Sequence, residues 1–80
     1  MTVYATDGLI VLTDECPLED AEAFLQQLLA LPSAAIDWRQ CKSAHTAVVQ
    51  LLLAAKRPIL GPPQAEFLRD MIEPTLKHAR

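Results

Sequence analysis

The sequence is poor in glycine and in positive charge, and both shortages exclude classes of function. Gly8 and Gly61 are the only glycines among 80 residues, and they stand far apart. A loop that cradles phosphate needs closely spaced glycines, so the common nucleotide-binding motifs are excluded. Seven lysine and arginine residues against ten acidic residues give a formal net charge of −3, with no block of either sign. A general nucleic-acid binder needs clustered cations, so we expect no nucleic-acid partner.

Long apolar runs are also missing. The longest, residues 47–55, contains Gln50 and is shorter than the ~20 residues that span a bilayer. The first residues lack the basic segment typical of a secretory signal. Cys16 and Cys41 are the only cysteines. We therefore expect reduced thiols, a cytoplasmic location and no direct insertion into a membrane.

The composition that remains is that of one small folded domain. A hydrophobic content of 51% excludes a disordered chain, and the length fits a single domain over residues 1–80. A chain this short buries only roughly 60–65% of its unfolded surface. Because a large active-site cavity would compete with so small a core, we expect that the protein is not an enzyme.

The first part of the chain predicts a β-hairpin followed by a helix. A β-prone run at residues 2–5 and an apolar run at residues 9–13 flank Asp7-Gly8, a strong hairpin signal. The continuous apolar character of residues 9–13 indicates a strand buried on both faces. Pro17 suits the first helical position. Apolar residues at three- and four-residue spacing then predict an amphipathic helix that ends before the next proline.

The middle of the chain predicts a second strand and a second helix. Residues 33–38 read as a buried strand and residues 39–42 as a polar loop. Ser43 is a good N-cap for a helix over residues 44–56, which is apolar on almost all sides. A minimal strand at residues 59–61 follows.

A stripe of apolar residues predicts a third helix after Pro63, which Pro74 kinks or ends early. The stripe is most simply part of the core, but it also offers a homodimer surface to a chain too short for a large core. Its members are Phe67, Leu68, Met71, Ile72 and Leu76. The order β-β-α-β-α-β-α predicts an α/β domain, with a four-stranded mixed sheet and three helices.

Two segments in the middle of the chain carry a resemblance to a known family. Ile36-Asp37-Trp38 is an apolar-Asp-apolar triplet at the end of a predicted strand, and His45-Thr46-Ala47-Val48 stands at the start of a leucine-rich helix. In this order and spacing the chain resembles the STAS domain, the fold of bacterial anti-sigma factor antagonists. It is also similar to the STAS subunit of phospholipid-transport ABC complexes. The family has Asp-Ser-Ser/Thr-Gly at the second segment, where this chain has histidine and valine in place of the acid and the glycine.

The resemblance implies a non-catalytic regulatory module without a cofactor. Such a module docks on a protein partner, an anti-sigma kinase-like ATPase or an ABC ATPase, through the start of the second helix. Thr46 falls where switching members are phosphorylated, which implies a phosphorylation or docking switch. The alternative is a constitutive structural subunit of a transporter complex without switching. The residues expected to contact the partner are Asp37, Trp38, Arg39, Ser43, His45 and Val49.

Several of these residues also have an ordinary structural interpretation. Thr46 is then a helix-terminal threonine that satisfies free N–H groups, and His45 is a surface or capping residue. A tryptophan at the end of a strand usually belongs to the core, although tryptophan and arginine are enriched at binding hot spots. We expect Trp38 to be partly buried with one exposed edge.

Cysteine and histidine leave two further alternatives. On a continuous helix Cys41 and His45 would share one face and hold a metal together with Cys16 and His78. The spacing matches no zinc pattern, so we expect no metal site. The Cys41–His45 pair would also suit a small thiol enzyme. The sequence offers no third group to orient such a pair.

Overall fold

The computed structural model describes residues 2–64, 66, 68–72 and 74, with the backbone alone at Met71. The strands form one sheet in the order β1-β2-β3-β4, with β1 antiparallel to β2 and the other neighbours parallel. The predicted α/β class with a four-stranded mixed sheet is therefore confirmed. In chain order the elements are β1 (Val3–Thr6), β2 (Leu9–Cys16), α1 (Glu19–Ala30), β3 (Ala35–Ala44), α2 (Thr46–Ala55), β4 (Ile59–Leu60) and a π-helical turn (Leu68–Ile72).

The turn between β1 and β2 forms where the sequence predicts it. The φ angle is 51° at Asp7 and 77° at Gly8. Two consecutive residues with positive φ are typical of a type I′ turn, whose twist matches that of the two strands. β2 then continues to Cys16, three residues beyond the predicted end, because its last residues pair with β3.

β3 is longer than predicted and includes the residues assigned to a loop. Residues 39–42 and Ser43 lie within the strand, which is paired in parallel with β2. Their polar side chains suggested a loop, but the segment follows buried Trp38 and contains buried Cys41, and pairing satisfies its backbone groups. Two register shifts accommodate the extra residues of β3. The predicted loop and the N-cap role of Ser43 are therefore wrong.

α1 begins two residues later than Pro17 at the first helical position would require. Leu18 already has helical dihedral angles, φ −55° and ψ −39°. The backbone N–H of Asp20 donates to the carbonyl of Pro17 at 3.0 Å. The proline thus opens the turn that leads into the helix. The acidic first turn, with Glu19 and Glu22 beside Asp20, faces the positive end of the helix dipole as expected.

Both helices pack on the same face of the sheet. Each one connects neighbouring parallel strands, and right-handed crossovers in one direction along a sheet place their helices on one side. α1 contacts α2, β1 and β2, and α2 contacts β3. Both helices therefore start at one end of the layer and finish at the other. The largest fully buried side chains of the core are Trp38, Phe24, Ile10, Leu12, Ile36, Leu52, Val3, Val48, Cys16 and Cys41.

The opposite face of the sheet carries one row of side chains across all four strands. Tyr4 pairs with Val11, Val11 with Asp37, and Asp37 with Leu60. Val11 is buried in this row, whereas Tyr4 and Leu60 at its ends are exposed. Ile10 is fully buried on the helix side, so the prediction of a strand buried on both faces at residues 9–13 is confirmed, whereas Asp14 and Glu15 farther along β2 are exposed.

Only part of the predicted third helix lies within the described residues. There it forms the π-helical turn. Leu68 is buried in the core and Ile72 packs against the core. These two residues therefore serve the core rather than a dimer surface. The rest of the stripe, Phe67, Leu76 and the side chain of Met71, lies outside the described part.

Candidate functional site

The start of α2 is built by His45, which stands directly after β3. Its backbone is extended, with φ −60° and ψ 150°, and its Nδ1 accepts a hydrogen bond from the N–H of Ala47 at 3.0 Å. Its carbonyl accepts from Val48 and Val49 at 2.9 and 3.1 Å. Its own N–H donates to the carbonyl of Cys16 at 2.8 Å, which fixes the helix start against β2. His45 is thus the N-cap, in agreement with one of the two predictions for it.

Thr46 is the first residue of α2 and its side chain is exposed. The cap hydrogen bond to Ala47 comes from His45, so the hydroxyl of Thr46 is not the capping group. The first turn contains no acidic residue. An anion added at Thr46 would face the positive end of the helix dipole without a like charge in the same turn.

Asp37 and Arg39 form a close ion pair on the sheet face opposite the helices. The guanidinium donates from Nε to Oδ1 at 3.0 Å and from Nη2 to Oδ2 at 2.9 Å, and the N–H of Arg39 donates to Oδ1 at 3.1 Å. These hydrogen bonds from Arg39 hold the pKa of the Asp37 carboxyl below its ordinary value. The pair therefore stays ionised at neutral pH. Its two opposite charges offset each other, and Asp37 lies in the same row of side chains as Val11 and Leu60.

Trp38 and Val49 are buried and do not belong to the exposed surface at the start of α2. Trp38 has an exposed fraction of zero and Val49 is 9% exposed. The predicted exposed edge of Trp38 is wrong, because the side chain shares the core side of β3 with Ile36. The alternation of Ile36 and Trp38 with Asp37 and Arg39 carries this information in the sequence.

The six residues expected to contact a partner thus separate into three places. Ser43 and His45 are exposed beside Thr46 at the end of β3. Asp37 and Arg39 lie on the other face of the sheet. His45 follows Asp37 by eight residues, and each residue advances about 3.3 Å along a strand, so the two lie up to about 26 Å apart. The structure supports one compact exposed site at the helix start, and it separates the ion pair from that site.

Cys16 and Cys41 are both reduced and lie in the core. The Sγ of Cys41 donates to the carbonyl of Ser43 at 3.3 Å. The neighbouring thiol of Cys16 and burial raise the pKa of the Cys41 thiol above its ordinary value. A protonated, buried thiol is a poor nucleophile. Cys41 belongs to β3 and His45 to the cap of α2, so the continuous helix on which they would act together does not exist.

Arg57 is a structural residue that the sequence did not reveal in its actual role. A basic residue directly after a helix ordinarily complements the dipole of that helix. Instead its guanidinium donates to the carbonyls of Leu28, Leu31 and Ala34 at 2.8, 2.8 and 3.0 Å. It therefore satisfies the end of α1 and the start of β3. A basic residue after a helix is the only sequence signal, and it does not identify which helix is capped.

The described residues contain neither a cluster of metal ligands nor a helix that could cross a membrane. Among those residues no group of three or more histidine, cysteine, aspartate or glutamate side chains is placed to hold a metal ion, and His78 lies outside them. No helix in the same residues has the length and apolar character needed to cross a bilayer. Comparisons with protein-family models, curated proteins and solved structures find no match to this chain.

Proposed function

We propose that this protein is a non-catalytic regulatory module of the cytoplasm that binds a protein partner through the start of α2. The observation that carries the proposal is the exposed Thr46 at a helix start already capped by His45. Because the cap does not use Thr46, a change of charge there alters the docking surface while the helix remains capped. The mixed sheet and the strand–helix order support the STAS-like interpretation on which the choice of site depends.

The partner that this interpretation favours is an anti-sigma kinase-like ATPase or an ABC-type ATPase. With a neutral Thr46, a complementary helix or loop of the partner packs against the helix start. A phosphate at Thr46 adds negative charge that the exposed first turn stabilises, and the partner then meets a group that it does not pair. Docking is thereby weakened without unfolding of the domain.

The test compares capture of partners by the wild-type protein and by Thr46→Glu, followed by binding measurements with the purified partner. Thr6→Glu is the matched control, because Thr6 is an exposed threonine at the end of β1. We expect Thr46→Glu to weaken binding of a kinase-like ATPase by about tenfold or more, which corresponds to ~1.4 kcal/mol. Thr6→Glu is expected to bind like the wild type.

Equal binding of the ATPase by Thr46→Glu and wild type would exclude a switch at this position. If that ATPase were of the ABC type, the result would favour the constitutive subunit. Circular dichroism of each variant establishes that a loss of binding is not a loss of fold.

A further inference from the structure

An apolar groove follows the seam between α1 and α2 on the outer surface of the helix layer. One half has a volume of about 450 Å³ and contains Glu22, and the other half has a volume of about 230 Å³ and contains Arg57. Leu25, Leu51 and Ala54 line both halves. The two halves are therefore one continuous groove, with a single acidic residue in one half and a single basic residue in the other.

The side chains around the groove leave apolar surface in water. Leu29 is 73% exposed and Leu25 is 41% exposed. α2 contributes no charged residue at all over Thr46–Ala55. Apolar side chains clustered along a groove, rather than scattered singly, are typical of an interaction surface.

Charge is distributed unequally along the helix layer. α1 and α2 begin at the same end, where the first turn of α1 carries Glu19, Asp20 and Glu22. Lys56 and Arg57 follow α2 at the other end. A groove with an acidic end and a basic end is complementary to its own copy turned through 180°. A partner of uniform charge would suit only one of the two ends.

We infer that this groove is the interface of a symmetric homodimer in which the helix layers of two copies pack in antiparallel orientation. A twofold axis through the middle of the groove brings the same patch of both copies together. Leu25, Leu51 and Ala54 then meet their equivalents near the axis. Glu22 faces the basic end of the other copy. The surface is different from the stripe after Pro63, and the inference does not depend on the proposed ATPase docking.

A second copy also buries apolar surface that the small core of one chain leaves exposed. A domain of this size has a small core, and association is a common way to bury further apolar surface. Leu25 and Leu29 are the largest exposed side chains available for this purpose on α1.

The test is sedimentation equilibrium of the full chain from micromolar to millimolar concentration. We expect wild-type protein to reach the mass of two chains. Leu29→Gln removes apolar contact, and Glu22→Lys places like charges at both ends of the interface. Each change is expected to raise the dimer dissociation constant by about tenfold or more. Leu18→Gln is the matched control, since Leu18 is 56% exposed and does not line the groove.

Cross-linking tests the orientation of the two copies. Ala54 is exposed, so Ala54→Cys places a thiol near the proposed axis, and mild oxidation is expected to join two chains. Ala5→Cys places a thiol on exposed β1 and is expected to remain uncoupled. Thermal unfolding of each variant verifies that it is folded.

A wild-type protein that stays monomeric at every concentration would overturn the inference. A dimer that Leu29→Gln and Glu22→Lys leave intact would overturn it as well, because the interface would then lie elsewhere. If these two variants lose the dimer but bind the ATPase in the same Thr46-dependent way as wild type, the result would support the dimer. It would also show that the groove and the docking surface around Thr46 act independently.

Discussion

At the scale of single residues, Arg57 joins two elements that are distant in the sequence. One guanidinium binds three carbonyls at the end of α1 and before β3. The last carbonyls of a helix lack partners within the helix, and the planar fork of arginine can serve several at once. The side chain thereby fixes where α1 ends relative to the sheet.

Replacement of Arg57 is expected to destabilise the fold more than replacement of an exposed cation. Arg57→Met leaves three carbonyls without their charged donor, at an expected cost of about 2 kcal/mol. Lys42→Met removes only an exposed contact of 3.8 Å with Asp14, which is worth under about 1 kcal/mol. Urea denaturation measures both. Equal free energies of unfolding for the two variants would contradict the structural role of Arg57.

The Asp37–Arg39 pair predicts a pH dependence of stability with a defined sign. Because the folded pKa of Asp37 is lowered by Arg39, the folded state binds fewer protons there than the unfolded state. The stabilisation is therefore present above the unfolded pKa of about 3.9 and is lost as pH falls through the lower folded pKa.

Urea unfolding between neutral and strongly acidic pH measures this dependence. The stability difference between wild type and Asp37→Asn is expected to shrink as pH falls below about 4. Arg39→Met removes the cause of the lowered pKa. The stability of that variant is therefore expected to depend on pH below about 4 as weakly as that of Asp37→Asn. A difference that stays constant across this range would show that Asp37 is not held ionised by Arg39.

At the scale of elements, the sequence predicts what local patterns determine and misses what pairing determines. Asp7-Gly8 identifies the hairpin because positive φ is a local requirement. Residues 39–42 were assigned to a loop because their polarity is local, whereas their place in β3 depends on the ladder with β2. Pairing with β2 also keeps Ser43 in β3, so that His45 and not Ser43 is the N-cap of α2. The sequence identified Thr46 as a candidate at the helix start. The burial of Trp38 was also readable, because apolar and polar residues alternate at positions 36–39.

The cap of α2 provides a direct comparison between the sequence interpretation and the structure. His45→Ala removes the acceptor for Ala47 and is expected to cost about 1 kcal/mol, as for other N-cap losses. Ser43→Ala alters an exposed strand side chain and is expected to change stability by less than about 0.5 kcal/mol. His45→Asp retains an acceptor and is expected to recover most of the loss. Thermal unfolding of the three variants measures these losses. A larger loss of stability for Ser43→Ala than for His45→Ala would show that Ser43 is the cap.

At the scale of the whole molecule, the two thiols report on how the core opens. Cys16 in β2 and Cys41 in β3 are at most 1% exposed and share one cluster with side chains of both helices. Reagent access to either thiol therefore requires the helix layer to separate from the sheet. In a domain this small, that separation is expected to be close to global unfolding.

Thiol labelling in native buffer is accordingly expected to be at least about a thousandfold slower than in denaturant. The reason is that only about one molecule in a thousand, or fewer, of a small domain is unfolded at equilibrium. Both thiols should react together, and the rate should rise with urea along the unfolding curve. Reaction of Cys41 alone at the denatured rate would instead reveal an accessible nucleophile and revive the thiol-enzyme alternative.

If the α1–α2 groove pairs two copies, labelling of wild type should also slow as protein concentration increases, because binding of a second folded copy stabilises the native state by mass action. Leu29→Gln should lose that concentration dependence while both thiols remain protected.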